Sequence, residues 1–359
     1  MEMTKLQMIA GQVMNNKVAI FSDLHLGVHQ NSSFWLDISI SWVKWFKDDI
    51  VSKGIKDVIF CGDFFHYRDE VSLISLDAGN KILDILKDLN VYMITGNHDC
   101  YYKETSEINS LSVFKGRNNI KVFDSITSLN IHGKQMLFCP WGAKIATLPV
   151  SDIIFGHFEL QNFKMNAFKI CGDGDDPGVL STKAPLIFSG HFHLRDEKIY
   201  NNSTIVYVGN PFEMDFGDSE QIKGYHILDI SASKYTFIES NFTPKHIKLL
   251  LSNLITTKDA DELFRKIICN NIIKLVIDKN ISTEHLDILV AKITGFKPSD
   301  IRIDYDVNYN KIKIDANESL DLSGVIIEQA IEEFINLLDI TNKKEVIDYT
   351  VGLYNRSKL

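Results

Sequence analysis

The amino-acid sequence predicts an α/β protein, because short apolar runs alternate with segments of helical apolar spacing. The runs are bounded by Gly, Asp or Asn and have the length of buried strands. Five of them end in carboxylate, amide or imidazole side chains. They are VAIFSDLH (18–25), DVIFCGD (57–63), VYMITGNHD (91–99), DIIFGHFE (152–159) and PLIFSGHFH (185–193).

The segments between the first three runs carry the period of amphipathic helices. Their apolar residues are Phe34, Trp35, Ile38, Trp42, Trp45 and Phe46 in the first, and Ile82, Leu83, Leu86 and Leu89 in the second. The order is therefore strand, helix, strand, helix, strand, which is typical of an α/β sheet.

Length and composition indicate a folded protein of about two domains. The chain has 359 residues, of which 45% are hydrophobic and 24% charged, so it is neither disordered nor fibrous. The 38 basic and 47 acidic residues give a net charge of −9. This charge argues against a basic nucleic-acid-binding domain. If the protein binds DNA, a group other than its own side chains must supply positive charge.

The cysteines and the hydropathy predict an intracellular, cytoplasmic protein. The five cysteines are scattered without a C-x-x-C pair, which is typical of reduced thiols and excludes a zinc–thiolate site. The N-terminus lacks the apolar stretch of a signal peptide, and no run reaches the ~18 apolar residues that a membrane-spanning helix needs.

The polar strand ends predict one shared site, because ligands of α/β sheets bind beyond the carboxyl ends of the strands. Six of the 11 histidines lie in or just after the five runs, whereas the other five histidines lie elsewhere in the sequence. A single D-x-H or G-H-x-H motif would be a weak signal, since Asp and His are common in turns. Five such motifs in one chain favour a metal site.

Seven of these side chains are candidate metal ligands: Asp23, His25, Asp63, Asn97, His157, His191 and His193. Seven ligands are more than one tetrahedral metal site can use. Two metal ions would use all seven if each had three ligands of its own and both shared one bridging carboxylate. We expect Asp63 to be the bridge. Two metals ~3.5–4 Å apart activate water and clamp a phosphoryl centre, so the predicted reaction is phosphoester hydrolysis.

Three further residues are candidates for catalysis. His98, directly after Asn97, could protonate the leaving oxygen or stabilise charge in the transition state. We expect Asp99 to hold the His98 ring. His66, three residues after Asp63, could steer the substrate phosphate or the nucleic-acid strand.

The motifs S-D-L-H-L-G, G-D-F-F-H, G-N-H-D, G-H-F-E and G-H-F-H, in this order, resemble those of the calcineurin-like metallophosphoesterases. The resemblance is closest to the SbcD/Mre-eleven-type recombination nucleases, especially their phage branch. In that branch a histidine follows the bridging aspartate by three, as His66 follows Asp63, whereas protein phosphatases carry Asp and Arg there. The later sequence V-Y-V-G-N-P-F also looks like the phage branch.

The resemblance implies a four-layer sandwich of two β-sheets flanked by helices, with two divalent metals, manganese or else magnesium. One metal would take Asp23, His25, Asp63 and His193, and the other Asp63, Asn97, His157 and His191. The resemblance makes His98 catalytic and ties His66 to exonuclease action. It implies a 3′ to 5′ double-strand exonuclease and single-strand endonuclease in DNA recombination, repair and end processing. The implied partners are DNA ends, an SbcC-type coiled-coil ATPase and a second copy of the chain.

The resemblance covers about residues 17–240, after a leader of residues 1–16. We expect residues 241–318 to form a small α/β capping domain that binds DNA, with strands at 272–279, 301–307 and 311–315 and helices at 260–269 and 283–294. An insertion that only covers a sheet edge would have the same pattern. Residues 319–359 read as C-terminal helices with broad apolar faces, which would dock the ATPase or else pack on the cap.

Two other hypotheses are open. One is a metallophosphodiesterase or phosphatase with a substrate other than DNA, and the other is a non-catalytic DNA-binding scaffold. Activity on a nucleotide diester without activity on DNA ends would favour the first. The complete ligand set argues against the second. The aspartate-rich segment 171–182 lacks calcium-ligand spacing, and we expect it to be a mobile loop.

Overall fold

The computed structural model describes residues 16–167, 169–242, 244–256 and 261–305, positions 332, 335 and 336, and residues 342–357. The strands in these ranges are β1 (Lys17–Phe21), β2 (Asp57–Phe60), β3 (Asn90–Ile94), β4 (Ile120–Phe123), β5 (Thr127–Ile131), β6 (Lys134–Cys139), β7 (Ile153–His157), β8 (Leu186–Gly190), β9 (Asp196–Tyr200), β10 (Ser203–Tyr207), β11 (Gly224–Asp229), β12 (Lys234–Glu239), β13 (His246–Leu250), β14 (Ile272–Ile277) and β15 (Asp300–Tyr305).

The helices in the same ranges are α1 (Ser33–Ser52), α2 (Leu73–Ile85), α3 (Pro177–Ser181), α4 (Leu251–Thr256), α5 (Asp261–Ile268), α6 (Thr283–Gly295) and α7 (Lys343–Ser357). A left-handed turn at Val28–Asn31 and two short 3-10 helices, Ser110–Phe114 and Ile145–Thr147, complete the elements. The predicted leader, apart from residue 16, the predicted strand at 311–315 and most of residues 319–341 lie outside the described residues.

The predicted α/β class is confirmed, and so are the two β-sheets that the resemblance implies; the five polar-ended runs are divided between them. The first sheet has the order β12-β11-β1-β2-β3-β4, and β1 to β4 are parallel neighbours. The second has the order β5-β6-β7-β8-β10-β9, in which β6, β7, β8 and β10 are parallel. Three runs therefore belong to the first sheet and two to the second.

The two sheets pack face to face, and both are covered on their outer faces. Side chains alternate along β1: Val18 and Ile20 join a core that both sheets share, whereas Ala19 and Phe21 join the core under the helices. Strands buried on both faces need continuous apolar runs, which explains the sequence pattern. A third core covers the far face of the second sheet, where Leu180 of α3 packs.

Helix α1 packs on the first sheet through one apolar stripe. Its buried residues recur every three or four positions: Trp35, Leu36, Ser39, Trp42, Val43, Phe46 and Ile50. The indole of Trp42 donates a hydrogen bond to Ser240 Oγ at 3.0 Å, which satisfies its N–H in the core. The large aromatic residues of this helix are thus mostly explained by burial on the sheet.

A third sheet, of order β13-β14-β15, forms with α4, α5 and α6 a small α/β unit with a core of its own. Strands β13 and β14 are parallel, and the side chain of Ser282 caps α6 by accepting from the His285 amide. The chain separates into two compact units, Met1–Asp304 and Tyr305–Leu359. The predicted boundaries at 240 and 318 stay predictions.

All five cysteines are free thiols, and four of them are buried. Among the described residues no helix is both long and apolar enough to cross a membrane.

His226 of β11 is a buried imidazole in the core between the two sheets. It is fully buried among the rings of Phe188, Tyr235 and Phe237, and neither ring nitrogen has a hydrogen-bond partner. Burial, with a smaller contribution from Arg195, lowers the pKa of His226 to about 3. The folded protein therefore keeps this ring neutral, whereas the unfolded chain takes up a proton below the usual pKa of ~6.5.

We expect His226→Phe to stabilise the protein, and to do so more at low pH. The lowered pKa makes His226 cost stability as the pH falls below ~6.5, so the gain should be about 2 kcal/mol larger at pH 5 than at pH 8. Urea unfolding at the two pH values measures it, with His285→Phe at an exposed position as the control. A pH-independent difference between His226→Phe and the unaltered protein would contradict the assignment.

Candidate metal centre

The seven predicted ligands all follow or end parallel strands, at the point where the carboxyl ends of the two sheets meet. Asp23 and His25 follow β1, Asp63 follows β2 and Asn97 follows β3. From the second sheet, His157 ends β7, while His191 and His193 follow β8. The structure therefore brings together every side chain that the sequence proposed as a ligand.

Backbone hydrogen bonds join the loops that carry the first ligands. The amide of Asp23 donates to the carbonyl of Gly62 at 3.0 Å, and the amide of His25 donates to that of Asp63 at 3.1 Å. The amide of His191 donates to Oδ1 of Asp23 at 3.1 Å, which ties the second sheet to the first. The loops are thus fixed to one another before any ligand enters.

Four ligand residues adopt the left-handed backbone conformation that non-glycine residues rarely use. Asp23, His25 and Asp63 have φ of 56°, 46° and 59°, and His191 has φ of 92°. Each such residue costs of order 1–3 kcal/mol and is retained where the surrounding structure over-determines it. The strain turns the chain sharply after each strand, so that side chains from successive positions point into one space.

Two glycines allow this close approach. A Cβ atom at Gly96 would lie 2.2 Å from Oδ1 of Asp63, and one at Gly62 would lie 2.3 Å from Nδ1 of His157. Gly62 also has φ of 102°, which favours glycine. The glycines of the G-D and G-N motifs are therefore needed for space around the ligand atoms.

The ligand atoms form two groups with Asp63 between them. One group contains Asp23, His25 and His193, and the other contains Asp63, His157 and His191. Oδ2 of Asp63 lies 3.5 Å from Nε2 of His25 and 3.4 Å from Nε2 of His157, so it faces both.

Asn97 belongs to the second group, because its Oδ1 lies 2.9 Å from Nε2 of His157 and 2.8 Å from Nδ1 of His191. Ring nitrogens of His25 and His193 approach each other to 2.9 Å in the first group. Oδ2 of Asp23 is buried without any hydrogen-bond partner. An orphaned carboxylate oxygen among imidazoles is a fit for a divalent cation, and nitrogen and oxygen donors without thiolates suit manganese, iron or magnesium.

Burial and mutual charge set the ionisation of the site. Burial opposes ionisation of Asp63, but His157 and His25 beside it hold its pKa well below the usual range. Burial likewise opposes a charge on His157, yet Asp63 raises the pKa of His157 to about 9. Burial raises the pKa of Asp23 and lowers that of His191 to about 3. The carboxylate of Asp63 thus stabilises positive charge beside it, as a cation site requires.

His98 lies at the edge of the first group and is half-buried. Its backbone amide donates to Oδ1 of Asp63 at 2.8 Å, and its Nδ1 donates to the carbonyl of His66 at 2.5 Å. The rings of His98 and His25 are 4.8 Å apart. With Nδ1 occupied, Nε2 is the atom available for proton transfer.

The role expected for Asp99 is wrong, because the His66 carbonyl and not Asp99 holds the His98 ring. The buried carboxylate of Asp99 instead accepts hydrogen bonds from the backbone amides of Phe64, Phe65 and Gly96 at 3.0–3.2 Å. It thereby joins the loop after β2 to the loop after β3. Burial, together with the nearby charge of Asp63, raises the pKa of Asp99 to about 7.

His66 lies beside His98 with its ring nearly parallel, 5.4 Å between centroids, and its Nδ1 is 3.4 Å from Nδ1 of His25. His25, His66 and His98 form a third cluster of potential ligand atoms. Burial, followed by the charge of His98, lowers the pKa of His66 to about 4. His66, three residues after Asp63, therefore lies beside the candidate metal ligand His25.

Lys223 contacts the main chain of the candidate ligand His193, and the sequence did not predict this role. This buried ammonium group donates to the carbonyl of His193 at 2.9 Å and pairs with Oδ1 of Asp218 at 2.7 Å. It also donates to Oδ1 of Asn210, whose amide donates to Asp218. A charged network of this kind fixes the main chain of a candidate ligand. Nothing in the sequence distinguishes this lysine from those on the surface.

Comparisons with known proteins find a matching family model and a similar phage protein. A sequence model of the family described as calcineurin-like phosphoesterase matches residues 16–195, which include all seven candidate ligands. Exonuclease subunit 1 of Enterobacteria phage T4 is 26% identical over 354 residues, covering 94% of this chain and 98% of that protein.

Two solved structures are more distant. A single mutant of Vps29 from Entamoeba histolytica has a TM-score of 0.33 at 13% identity, covering 63% of this chain and 99% of its own. A hypothetical protein from Pyrococcus horikoshii OT3 has a TM-score of 0.37 at 10% identity, covering 63% of this chain and 88% of its own.

We expect Gly96→Ala to weaken metal binding at least tenfold, because the new Cβ displaces the Asp63 carboxylate. Isothermal titration with Mn²⁺ measures the affinity, and circular dichroism checks that the variant is folded. Gly116→Ala is the matched control, since a Cβ there meets nothing within 4 Å. Equal affinities for the two variants would contradict the expectation that metal binding depends on the space Gly96 leaves for the Asp63 carboxylate.

Proposed function

The chain belongs to the calcineurin-like phosphoesterase family, and from this premise we propose that it is a DNA nuclease that uses two metal ions. The observation that carries the proposal is the meeting of seven nitrogen and oxygen donors from two sheets, with Asp63 Oδ2 facing both groups. DNA as the substrate is supported by the similarity to a phage exonuclease subunit over nearly the whole chain.

We assign one metal ion to Asp23, His25, Asp63 and His193, and the other to Asp63, Asn97, His157 and His191. Four imidazoles disfavour magnesium, which prefers oxygen donors. Among the other divalent metals we propose manganese, because the sequence resemblance implies it. Bound divalent cations would supply Lewis acidity, which polarises a phosphodiester and favours deprotonation of the attacking water.

His98 is the proposed general acid. Its Nδ1 is held by the His66 carbonyl, so the ring presents Nε2 with one orientation. A proton on Nε2 can pass to the departing oxygen of the sugar, which otherwise leaves as a poor alkoxide. The peptide amide of His98 fixes Asp63 at the same time, so the acid and the bridging carboxylate keep a constant distance.

His66 is proposed to steer the DNA strand for exonuclease action. Its ring lies alongside that of His98 and is only half-buried, so a strand that reaches His98 also meets His66. We propose 3′ to 5′ exonuclease action on double strands and endonuclease action on single strands, with roles in recombination, repair and end processing.

The similar phage protein is named as one subunit of an exonuclease, which supports a partner subunit for this chain. We propose that the partner is an SbcC-type coiled-coil ATPase, as the sequence resemblance implies. The net charge of −9 gives this chain little attraction for DNA, so a basic partner would supply much of the grip. We further propose a homodimer that works in the cytoplasm of the host cell, if a phage encodes it. Residues 241–318 are the proposed cap and residues 319–359 the proposed docking segment.

We expect manganese-dependent degradation of linear double-stranded DNA, and a loss of about 10²–10⁴-fold in kcat for His98→Ala. The variant keeps the peptide amide that binds Asp63, so its metal content, measured by mass spectrometry, should not change. His285→Ala, at an exposed position, is the control.

Three outcomes would overturn parts of the proposal. Unchanged activity of His98→Ala would remove the general-acid role. Hydrolysis of nucleotide diesters without any action on DNA would favour a small-molecule phosphodiesterase. DNA binding without hydrolysis in any metal would favour a non-catalytic scaffold.

Removal of α7 (Lys343–Ser357) should abolish capture of the cognate ATPase in a pull-down while leaving manganese-dependent nuclease activity in place. The reason is that the docking segment and the metal ligands lie in separate parts of the chain. Undiminished capture by the shortened chain would contradict the docking role.

A further inference from the structure

A cavity of about 400 Å³ opens beside the second group of candidate ligands. His157 forms part of its wall, and the other walls include Trp141, Ala143, Lys144, Glu159 and Asp173. Cavities of this size hold small organic ligands. Because His157 lines it, the cavity lies next to the candidate metal centre.

Trp141 is fixed in the wall as a flat, half-exposed aromatic surface. Its indole N–H donates to the carbonyl of Lys103 at 2.6 Å, and its backbone amide donates to the carbonyl of Thr95 at 2.9 Å. Its ring centroid is 5.1 Å from that of His191 and 6.0 Å from that of His157. These contacts fix the ring before substrate arrives, which lowers the entropic cost of stacking on it.

Another part of the wall is also built in advance. The segment 171–182, which we expected to be a mobile loop, contains α3 (Pro177–Ser181), and its residues 171–175 are fastened by backbone hydrogen bonds to residues 159–163. The amide of Asp175 donates to the carbonyl of Glu159 at 2.8 Å, and the amide of Gln161 donates to the carbonyl of Asp175 at 3.0 Å. A Cβ at Gly174 would lie 2.4 Å from the Glu159 carbonyl oxygen, so the two segments touch.

The charges give the cavity a direction. Glu159, Asp173 and Asp175 line it with carboxylates, which repel a phosphate and accept hydrogen bonds from amino groups. A phosphate is therefore disfavoured at these carboxylates and favoured at His157, which belongs to the candidate metal ligands. A planar group with exocyclic amino groups, such as cytosine, adenine or guanine, can donate hydrogen bonds to the carboxylates. The exposed Lys144 adds one positive charge to the rim.

We propose that this cavity is a nucleoside subsite, in which the base next to the scissile phosphate stacks on Trp141. The inference rests on the proposed nuclease function and adds to it a base-dependent contact. Stacking on an aromatic ring is available to every base, so the subsite would hold a nucleotide without reading the sequence strictly. Its effect would be to position the phosphate at the metal ligands.

The test is a double-mutant cycle that removes the Trp141 ring from the protein and one base from the DNA, separately and together. A labelled oligonucleotide carries one abasic tetrahydrofuran residue, and its stepwise degradation in manganese is followed on a gel. In the unaltered protein, degradation should slow about tenfold at the abasic residue, because the stacking partner is missing. In Trp141→Ala, normal steps should slow by a similar factor, and the abasic residue should cause at most a twofold further delay.

Trp141→Phe, which keeps an aromatic ring, should restore most of the rate and of the abasic delay. Metal content of both variants should equal that of the unaltered protein, which separates lost stacking from a damaged metal centre. The same abasic delay in Trp141→Ala as in the unaltered protein, or a loss of bound metal that accounts for its slower rate, would overturn the subsite alone. Absence of any DNA degradation by the unaltered protein would overturn the nuclease proposal, and the subsite with it.

Discussion

The buried carboxylate of Asp63 is the interaction on which the centre of this protein depends. A charge without solvent is costly unless partners surround it, and here imidazoles of His25 and His157 and the amide of His98 do so. These partners come from three different strand ends and from both sheets. The packing of one sheet on the other therefore decides whether the carboxylate is stabilised.

The loops around this carboxylate hold a strained geometry, and the structure shows what keeps it. The left-handed backbone conformations of Asp23, His25 and Asp63 are strained and destabilise the folded state locally. Three features stabilise this conformation against the strain. They are the backbone hydrogen bonds between the loops, the four contacts of the Asp99 carboxylate and the space left by Gly96. Lys223 adds a buried ion pair behind His193. The site is thus prepared by its surroundings, which agrees with a function that needs donors at fixed positions.

The two faces of the centre differ in what they offer a substrate. On one side, His66 and His98 lie close to His25 and provide titratable nitrogens. On the other side, Trp141 and the cavity beside His157 provide an aromatic surface and carboxylates. A substrate placed between them would meet imidazoles on one side and an aromatic surface with carboxylates on the other, so its two ends would be held by different chemistry.

The sequence by itself determined the strands, the helices between them and the seven candidate ligands, because burial on two faces and the chemistry of strand ends leave local patterns. It also indicated His66 and His98 through their spacing from Asp63 and Asn97. Only the tertiary structure decided which runs belong to which sheet, that Asp99 holds peptide amides instead of the His98 ring, and that Lys223 and Trp141 reach the centre. Each of these depends on contacts between residues far apart in the chain, which leave no period or spacing in the sequence.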